Sequence, residues 1–422
     1  MLILTSILAL YVAWNLGAND VANSMGTSVG SKAVTLRQAL IIAGVLEFTG
    51  AVLFGREVSA TIATQIVDLH SLPTLQTVAI GMVSVLIAGG IWLNVATLLG
   101  LPVSATHATI GAIAGFATVA AGVSTVAWSQ IGMISLTWVV TPIVSSAIAA
   151  LFYSLLKSGV LDQAEPSVLL REWLPWLSAA MLSIFGVIVL PTVSQPLQGW
   201  FQQLHLPPHD LPLLLGTIAA AGLTFYGWRT LEQAATQQPE LSPPVCVELV
   251  MSRFQLLSAC FVAFAHGSND VGNAVAPLAV LAEIQRTGRV PSTEFTVPLW
   301  ILALGGLGIV AGLAVLGKRV IATIGETIIP LQPSSGFCAE LATATTVLLA
   351  SRWGLPVSTS HALVGGVVGV GLVREFRAIQ WQTLRSIGLA WFVTLPVAAG
   401  LSAATFAILR RIAHSAFIYL NF

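Results

Sequence analysis

A carboxylate and two carboxamides recur at one spacing in two places. Gly17-Ala18-Asn19-Asp20-Val21-Ala22-Asn23-Ser24 returns as Gly267-Ser268-Asn269-Asp270-Val271-Gly272-Asn273-Ala274, 250 residues later. Each copy closes a long apolar run, where such groups are costly to bury. On a helix Asp20 and Asn23 share a face, as do Asp270 and Asn273. A carboxylate beside amide oxygens is a hard-oxygen site, and two of them converging suit Na⁺ or H⁺. One copy alone could be a polar helix-packing contact; the repetition favours an ion site.

A second motif is also doubled. Gly100-Leu101-Pro102-Val103-Ser104-Ala105-Thr106-His107 and Gly354-Leu355-Pro356-Val357-Ser358-Thr359-Ser360-His361 agree at six of eight positions. Proline stops a preceding helix, Ser and Thr cap a new one, and the small residues after each histidine can start it. The expected product is a broken or re-entrant segment with free N–H groups and hydroxyls at a positive helix end, an anion cradle. Its candidate members are Ser104, Ala105, Thr106, Ser358, Thr359 and Ser360, with Asn19 and Asn269 beside them. His107 and His361 read as orienting groups that hydrogen-bond a neighbouring carbonyl. Glu47 and Glu340 are single intramembrane carboxylates without an acidic counterpart in the other half. They suit second ion ligands or gates, or equally partners for Arg56 and Lys318 near helix ends.

The paired motifs contain no Lys or Arg; their only formal charges are Asp20 and Asp270. An anion beside two carboxylates in a low dielectric is prohibitive without cations. Helix N-termini offer about half a charge each, which is not enough. An anion therefore enters only with co-bound Na⁺ or H⁺, which is symport, and each ligand lowers the cost of the other.

The elements that must hold these groups lie in lipid. Of 422 residues 56% are apolar and 8% charged, and mean hydropathy is +0.89; a soluble domain carries about 25% charged residues. Many apolar stretches exceed the ~18 residues that cross a bilayer, so the chain is an all-α polytopic membrane protein. Seventeen basic and seventeen acidic residues cancel, leaving no basic patch for nucleic acid. Cys246, Cys260 and Cys338 lack metal-ligand spacing and read as packing residues. Met1-Leu2-Ile3-Leu4 has no basic n-region, so the first segment reads as a retained span.

Spans are expected at 3–25, 36–55, 75–99 and 128–156, the last kinked at Pro142, with a small-residue helix ending near Gly122. Residues 157–174 read as a hydrated linker; spans at 175–190 and 211–228 flank an interfacial loop, and 229–245 reads as a second linker. Further spans are expected at 249–266, 297–317, 335–351 and 383–409. Two motifs recurring in one order at nearly one separation indicate an internal duplication. The division is 1–156 as the first repeat, 157–247 as a connecting region and 248–422 as the second repeat. Duplicated halves are common in secondary transporters, with the substrate site at the repeat interface. The basic residues are spread too evenly along the loops to set an orientation.

At these residues the chain resembles the inorganic phosphate transporter (Pit) family, which includes sodium-dependent members. The matching pieces are Gly17–Ser24 with Gly26-Thr27-Ser28-Val29-Gly30, Phe48-Thr49-Gly50, both Pro-Val-Ser motifs, Gly267–Asn273 and Gly336-Phe337-Cys338-Ala339-Glu340-Leu341. The likeness covers both halves but not 157–247. It implies an inverted-repeat bundle of about 12 transmembrane segments with broken helices, taking up phosphate with Na⁺ or H⁺. It further implies cation coupling at Asp20, Asn23, Asp270, Asn273, Glu47 and Glu340, with Na⁺ at the Asp and Asn residues, and a phosphate cradle at Ser104, Thr106, Ser358 and Ser360. A homodimer is implied too. The short central region matches bacterial members and an inner-membrane location. No cofactor beyond the coupling ion is expected.

Sulfate is the alternative cargo, since some relatives carry it. Phosphate can donate a proton to Asp20 or Asp270, whereas sulfate only accepts, which favours phosphate. An enzyme would need a nucleophile–base or metal constellation; no His-Glu-x-x-His, Gly-x-Ser-x-Gly or cysteine pair occurs. A cation channel could use the acidic clusters but has no need of the Pro-Ser-Thr helix starts.

Overall fold

Lipid leaves backbone polar groups no partner but their own helix, and the chain obeys. The computed structural model describes residues 2–189, 210–237, 242–292, 294–324 and 328–420. Among them are twelve α-helices: α1 (Leu2–Gly30), α2 (Leu36–Thr64), α3 (Leu75–Leu98), α4 (Ala105–Ala121), α5 (Trp128–Leu156), α6 (Pro166–Ile188), α7 (Asp210–Gln237), α8 (Pro243–Thr287), α9 (Leu299–Ile324), α10 (Pro333–Arg352), α11 (Thr359–Arg374) and α12 (Trp381–Leu420). Eight are long and apolar enough to cross a membrane, and α4 and α11 are shorter apolar helices.

Three stretches differ from expectation. The expected first linker is mostly helical: a π turn spans Lys157–Leu161 and α6 starts at Pro166, because proline at a first helical position costs no hydrogen bond. Likewise 229–237 continues α7, while the interfacial loop before it lies almost wholly outside the described residues. Finally, α8 does not end at His266 but runs 45 residues, through the polar motif and Pro277. There Asn273 donates to Asp270 along the helix and Asn269 bonds the α10–α11 break, so the polar side chains find partners without interrupting α8. In the same way α5 continues through Pro142.

Hydrogen bonds mark the two ends of the bundle. At one end a bridge joins Val67 to Val126 and Gln130 donates to Gln65. At the other, Ser334 donates to Glu248, Arg374 to the Pro330 carbonyl and Lys157 to the Val373 carbonyl. The α3–α4 hairpin opens toward the first end and α10–α11 toward the second. Their tips meet where Thr106 Oγ1 donates to the Val357 carbonyl at 3.0 Å.

Glycines permit the crossings that hold these tips. A Cβ on Gly17 would land on the Ile309 carbonyl of α9, and one on Gly312 on the Trp14 carbonyl of α1. The α2–α8 crossing repeats this with Gly50 against Phe264 and Gly267 against Glu47. Small residues let membrane helices pack backbone to backbone. Gly267→Val is therefore expected to push α8 off α2 and to cost about 1–3 kcal/mol or more. Its thermal unfolding midpoint in detergent should fall well below wild type; an unchanged midpoint would mean the crossing relaxes freely.

Candidate functional site

The two Asp–Asn pairs have the same local geometry. Asn23 Nδ2 donates to Asp20 Oδ1 at 2.9 Å on α1, and Asn273 Nδ2 donates to Asp270 Oδ1 at 3.0 Å on α8. Both aspartates are buried, 3% and 2% exposed. The hairpin tips close on them. Thr359 Oγ1, in the first turn of α11, donates to Asp270 Oδ2 at 2.8 Å, and Asn273 Nδ2 also reaches Thr106 Oγ1 at 3.3 Å. Asn273 Oδ1 has no hydrogen-bond partner although buried, leaving a free oxygen facing the site.

The helix starts form as the motif requires. Ser104 Oγ accepts from His107 N and Ser358 Oγ from His361 N, so each serine caps its helix. The amides of Ala105, Thr106, Thr359 and Ser360 thus fall in the first turns, where helix geometry supplies no acceptor. Ser358 and Ser360 hydroxyls lie 2.9 Å apart. Asn19 and Asn269 sit on the hairpin breaks instead. Asn19 Nδ2 donates to Thr97 Oγ1 and the Leu101 carbonyl, while Asn269 bonds Ser351, the Leu355 carbonyl and Val357 N. They hold the unwound backbone in place.

His107 Nδ1 lies 3.1 Å from the Trp391 carbonyl and His361 Nδ1 2.9 Å from that of Trp138, so each Nδ1 carries a proton and donates. The rings pack on Trp138 and Trp391 and meet edge to face, their centroids 4.9 Å apart. These histidines orient the tips against α5 and α12.

Glu47 on α2 joins the aspartates. Its Oε1 accepts from Ser24 Oγ at 2.9 Å, and between it and the aspartates lies a residue that sequence reasoning missed. The fully buried His266 places Nδ1 3.3 Å from Glu47 Oε1, and Nε2 3.3 Å from Asp270 Oδ2 and 3.9 Å from Asp20 Oδ2. Its signal was the spacing of four before Asp270 on one helix. The equivalent first-half residue is Leu16, so a reading guided by the repeat passes over it. The expectation of acidic pockets with no basic side chain is corrected here: one imidazole lies among three carboxylates. An imidazolium would still leave the group two charges negative. Among the described residues, no lysine or arginine pairs with any of them.

Glu340 stands apart on α10. It accepts from Ser28 Oγ and Ser258 Oγ at 2.7 Å each, from Gln255 Nε2 at 3.2 Å, and from Thr27 Oγ1. Ser31 in turn donates to Gln255. The α1, α8 and α10 helices thus form a hydroxyl cage around one carboxylate. Among the described residues, no three His, Cys, Asp or Glu side chains are arranged to hold a metal ion, so any cation here must also use amide and hydroxyl oxygens.

Buried carboxylates under the meeting tips of two broken hairpins, inside a membrane bundle, are the architecture of a membrane transporter. The model of the phosphate transporter family matches residues 16–402, and the chain belongs to that family. It is an integral, multi-pass membrane transporter of phosphate, not an enzyme. A Haemophilus influenzae protein named as a phosphate permease is 39% identical, with 97% of this chain and 96% of the relative covered. "Inorganic phosphate transporter 2-1, chloroplastic" of Arabidopsis thaliana is 38% identical over 94% of this chain and 70% of its own. A solved structure, "The sodium-dependent phosphate transporter", is 37% identical at a TM-score of 0.87, covering 97% of this chain and 99% of that one.

Proposed function

We propose that the protein imports inorganic phosphate across the bacterial inner membrane by symport with Na⁺, and works as a homodimer. One observation carries the coupling: three buried carboxylates meet at helix starts built for an anion, with a single imidazole and no lysine or arginine among them. A phosphate dianion adds two negative charges to a centre already negative, so mobile cations must accompany it. The name of the solved neighbour supports Na⁺ as that cation. In this reading Asp20, Asn23, Asp270, Asn273 and Glu47 bind the coupling ions. Thr106, Thr359, Ser104, Ser358, Ser360 and the first-turn amides bind phosphate. Glu340 in its hydroxyl cage serves a further cation.

We take the halves 1–156 and 248–422 as inverted repeats joined by 157–247. Supporting this, α4 packs Gly111 and Gly115 on carbonyls of α12, and α11 packs Gly365 and Gly369 on carbonyls of α5. The fold also gathers basic residues that the linear sequence scatters. Lys32, Arg37, Lys157, Arg171, Arg374, Arg377 and Arg385 collect at the Glu248 end, whereas Arg286, Arg289, Arg410 and Arg411 lie at the other. By the positive-inside rule the Glu248 end faces the cytoplasm.

The test is radiolabelled phosphate uptake into proteoliposomes with and without a Na⁺ gradient. Uptake that saturates and requires Na⁺ supports the reading; equal uptake at zero Na⁺ at both neutral and acidic pH refutes it. Sulfate should compete poorly, because a carboxylate-rich site leaves it acceptor against acceptor; competition as strong as unlabelled phosphate would refute the choice of cargo. Ser104→Ala with Ser358→Ala should weaken phosphate affinity by about 1–3 kcal/mol, read as the half-saturating concentration. An unchanged value would place the cradle elsewhere.

A further inference from the structure

We propose that His107 and His361 are positioning residues that act as one crossed clasp, locking both hairpin tips in a single register so that phosphate meets a preformed cradle. The proposal rests on the reading of the first turns of α4 and α11 as that cradle.

Each tip lies at the head of a rail. On α4, His107 Nδ1 meets the Trp391 carbonyl at 3.1 Å, and Gly111 and Gly115 lie on the carbonyls of Leu395 and Ala399. On α11, His361 Nδ1 meets the Trp138 carbonyl at 2.9 Å, and Gly365 and Gly369 lie on those of Pro142 and Ser146. Both series advance by four residues on both helices, so each helix pair is parallel and in step, turn for turn. The glycines bring the backbones into contact without a directional bond. The imidazole at the head of each series supplies one.

One acceptor is a carbonyl that its own helix leaves open. Pro142 has no N–H, so the Trp138 carbonyl four residues earlier loses its helix donor, and His361 replaces it. On α12, Pro396 frees the Phe392 carbonyl in the same way, and His107 bonds its neighbour.

The clasp crosses between the halves. His107 bonds α12 and packs its ring on Trp138 of α5, centroids 3.8 Å apart; His361 bonds α5 and packs on Trp391 of α12 at 3.6 Å. With the two imidazoles also in contact, four rings run continuously from α5 to α12. Both histidines are buried, 5% and 4% exposed. Neither tip can shift on its rail without opening the packing of the other. Such a shift reaches the cradle directly, because the backbone N–H groups of His107 and His361 donate to Ser104 and Ser358.

The test pairs hydrogen exchange of the purified full-length protein with phosphate uptake in proteoliposomes. His107→Ala should speed exchange in both 100–107 and 354–361, although it alters only one tip. It should raise the half-saturating phosphate concentration about five- to tenfold, with a smaller change in maximal rate. His361→Ala should do the same, and the two losses should not multiply in the double variant. His107→Asn keeps a donor at the Nδ1 position and should restore most of the affinity and protection. His107→Phe keeps a ring without the donor and should behave like alanine. Exchange confined to the altered tip would overturn the proposal, as would multiplying losses or a phenylalanine variant that matches wild type. If Ser104→Ala with Ser358→Ala leaves affinity unchanged, the cradle reading fails, and the exchange pattern still decides the clasp.

Discussion

Asp270→Asn is expected to abolish phosphate uptake, and Asp20→Asn to do the same, while each protein still inserts and folds. The exchange is close to isosteric. The asparagine carbonyl can still accept from Asn273 or Asn23, which now donate at 3.0 and 2.9 Å. What disappears is one buried negative charge. At about 4 Å and an effective dielectric of about 20, that charge is worth about 4 kcal/mol to a monovalent cation, close to a thousandfold in affinity. Because cation and anion binding are linked, the phosphate affinity must fall with it. Uptake in proteoliposomes beside a gel-filtration profile separates loss of function from loss of fold. Near-normal uptake by both variants would refute the ion-site assignment.

His266→Leu should do comparable damage by the opposite route. It leaves Glu47, Asp20 and Asp270 around an apolar side chain, with the nearest cationic candidate gone. Removing one partner of a buried charged group costs about 3–5 kcal/mol. Both stability and uptake are therefore expected to drop, with uptake at least about a hundredfold lower. His266→Gln keeps an amide that can donate to one carboxylate, and should retain more stability than His266→Leu. A leucine variant that unfolds and transports like wild type would show that the imidazole holds nothing in place.

Much of this site was legible in the sequence because it is written twice. The second copy turned Asp20–Asn23 from an odd polar contact into a candidate site, and Ser104 and Ser358 cap their helices where the Pro-Val-Ser motif put them. Repetition also hid what is not repeated. His266 has Leu16 as its counterpart, and Glu47 and Glu340 have no acidic partner in the other half, so symmetry gave no reason to join His266 to Glu47. Nor could spacing show that Glu340 lies in a cage drawn from Thr27, Ser28, Gln255 and Ser258, because those residues meet only when α1, α8 and α10 pack. The linkers misled for a simpler reason. Polar residues at 157–174 and 229–237 mark where helices leave lipid, and a helix in water needs no apolar face to continue.

The grouping of basic residues at one end is similar. Along the chain they alternate with spans and look uniform; only the packing of the whole bundle sorts them to its two ends. The proposed orientation therefore rests on the fold and not on the linear sequence.

The account rests on an oxyanion entering a carboxylate centre only in the company of cations. Equilibrium binding of radiolabelled phosphate to the purified protein, at neutral pH in sodium chloride against choline chloride, tests this most directly. Phosphate should bind at least about a hundredfold more weakly in choline, a linkage of about 3 kcal/mol. Equal affinity in the two salts would mean that His266 and the helix starts hold the anion unaided, and would contradict the account.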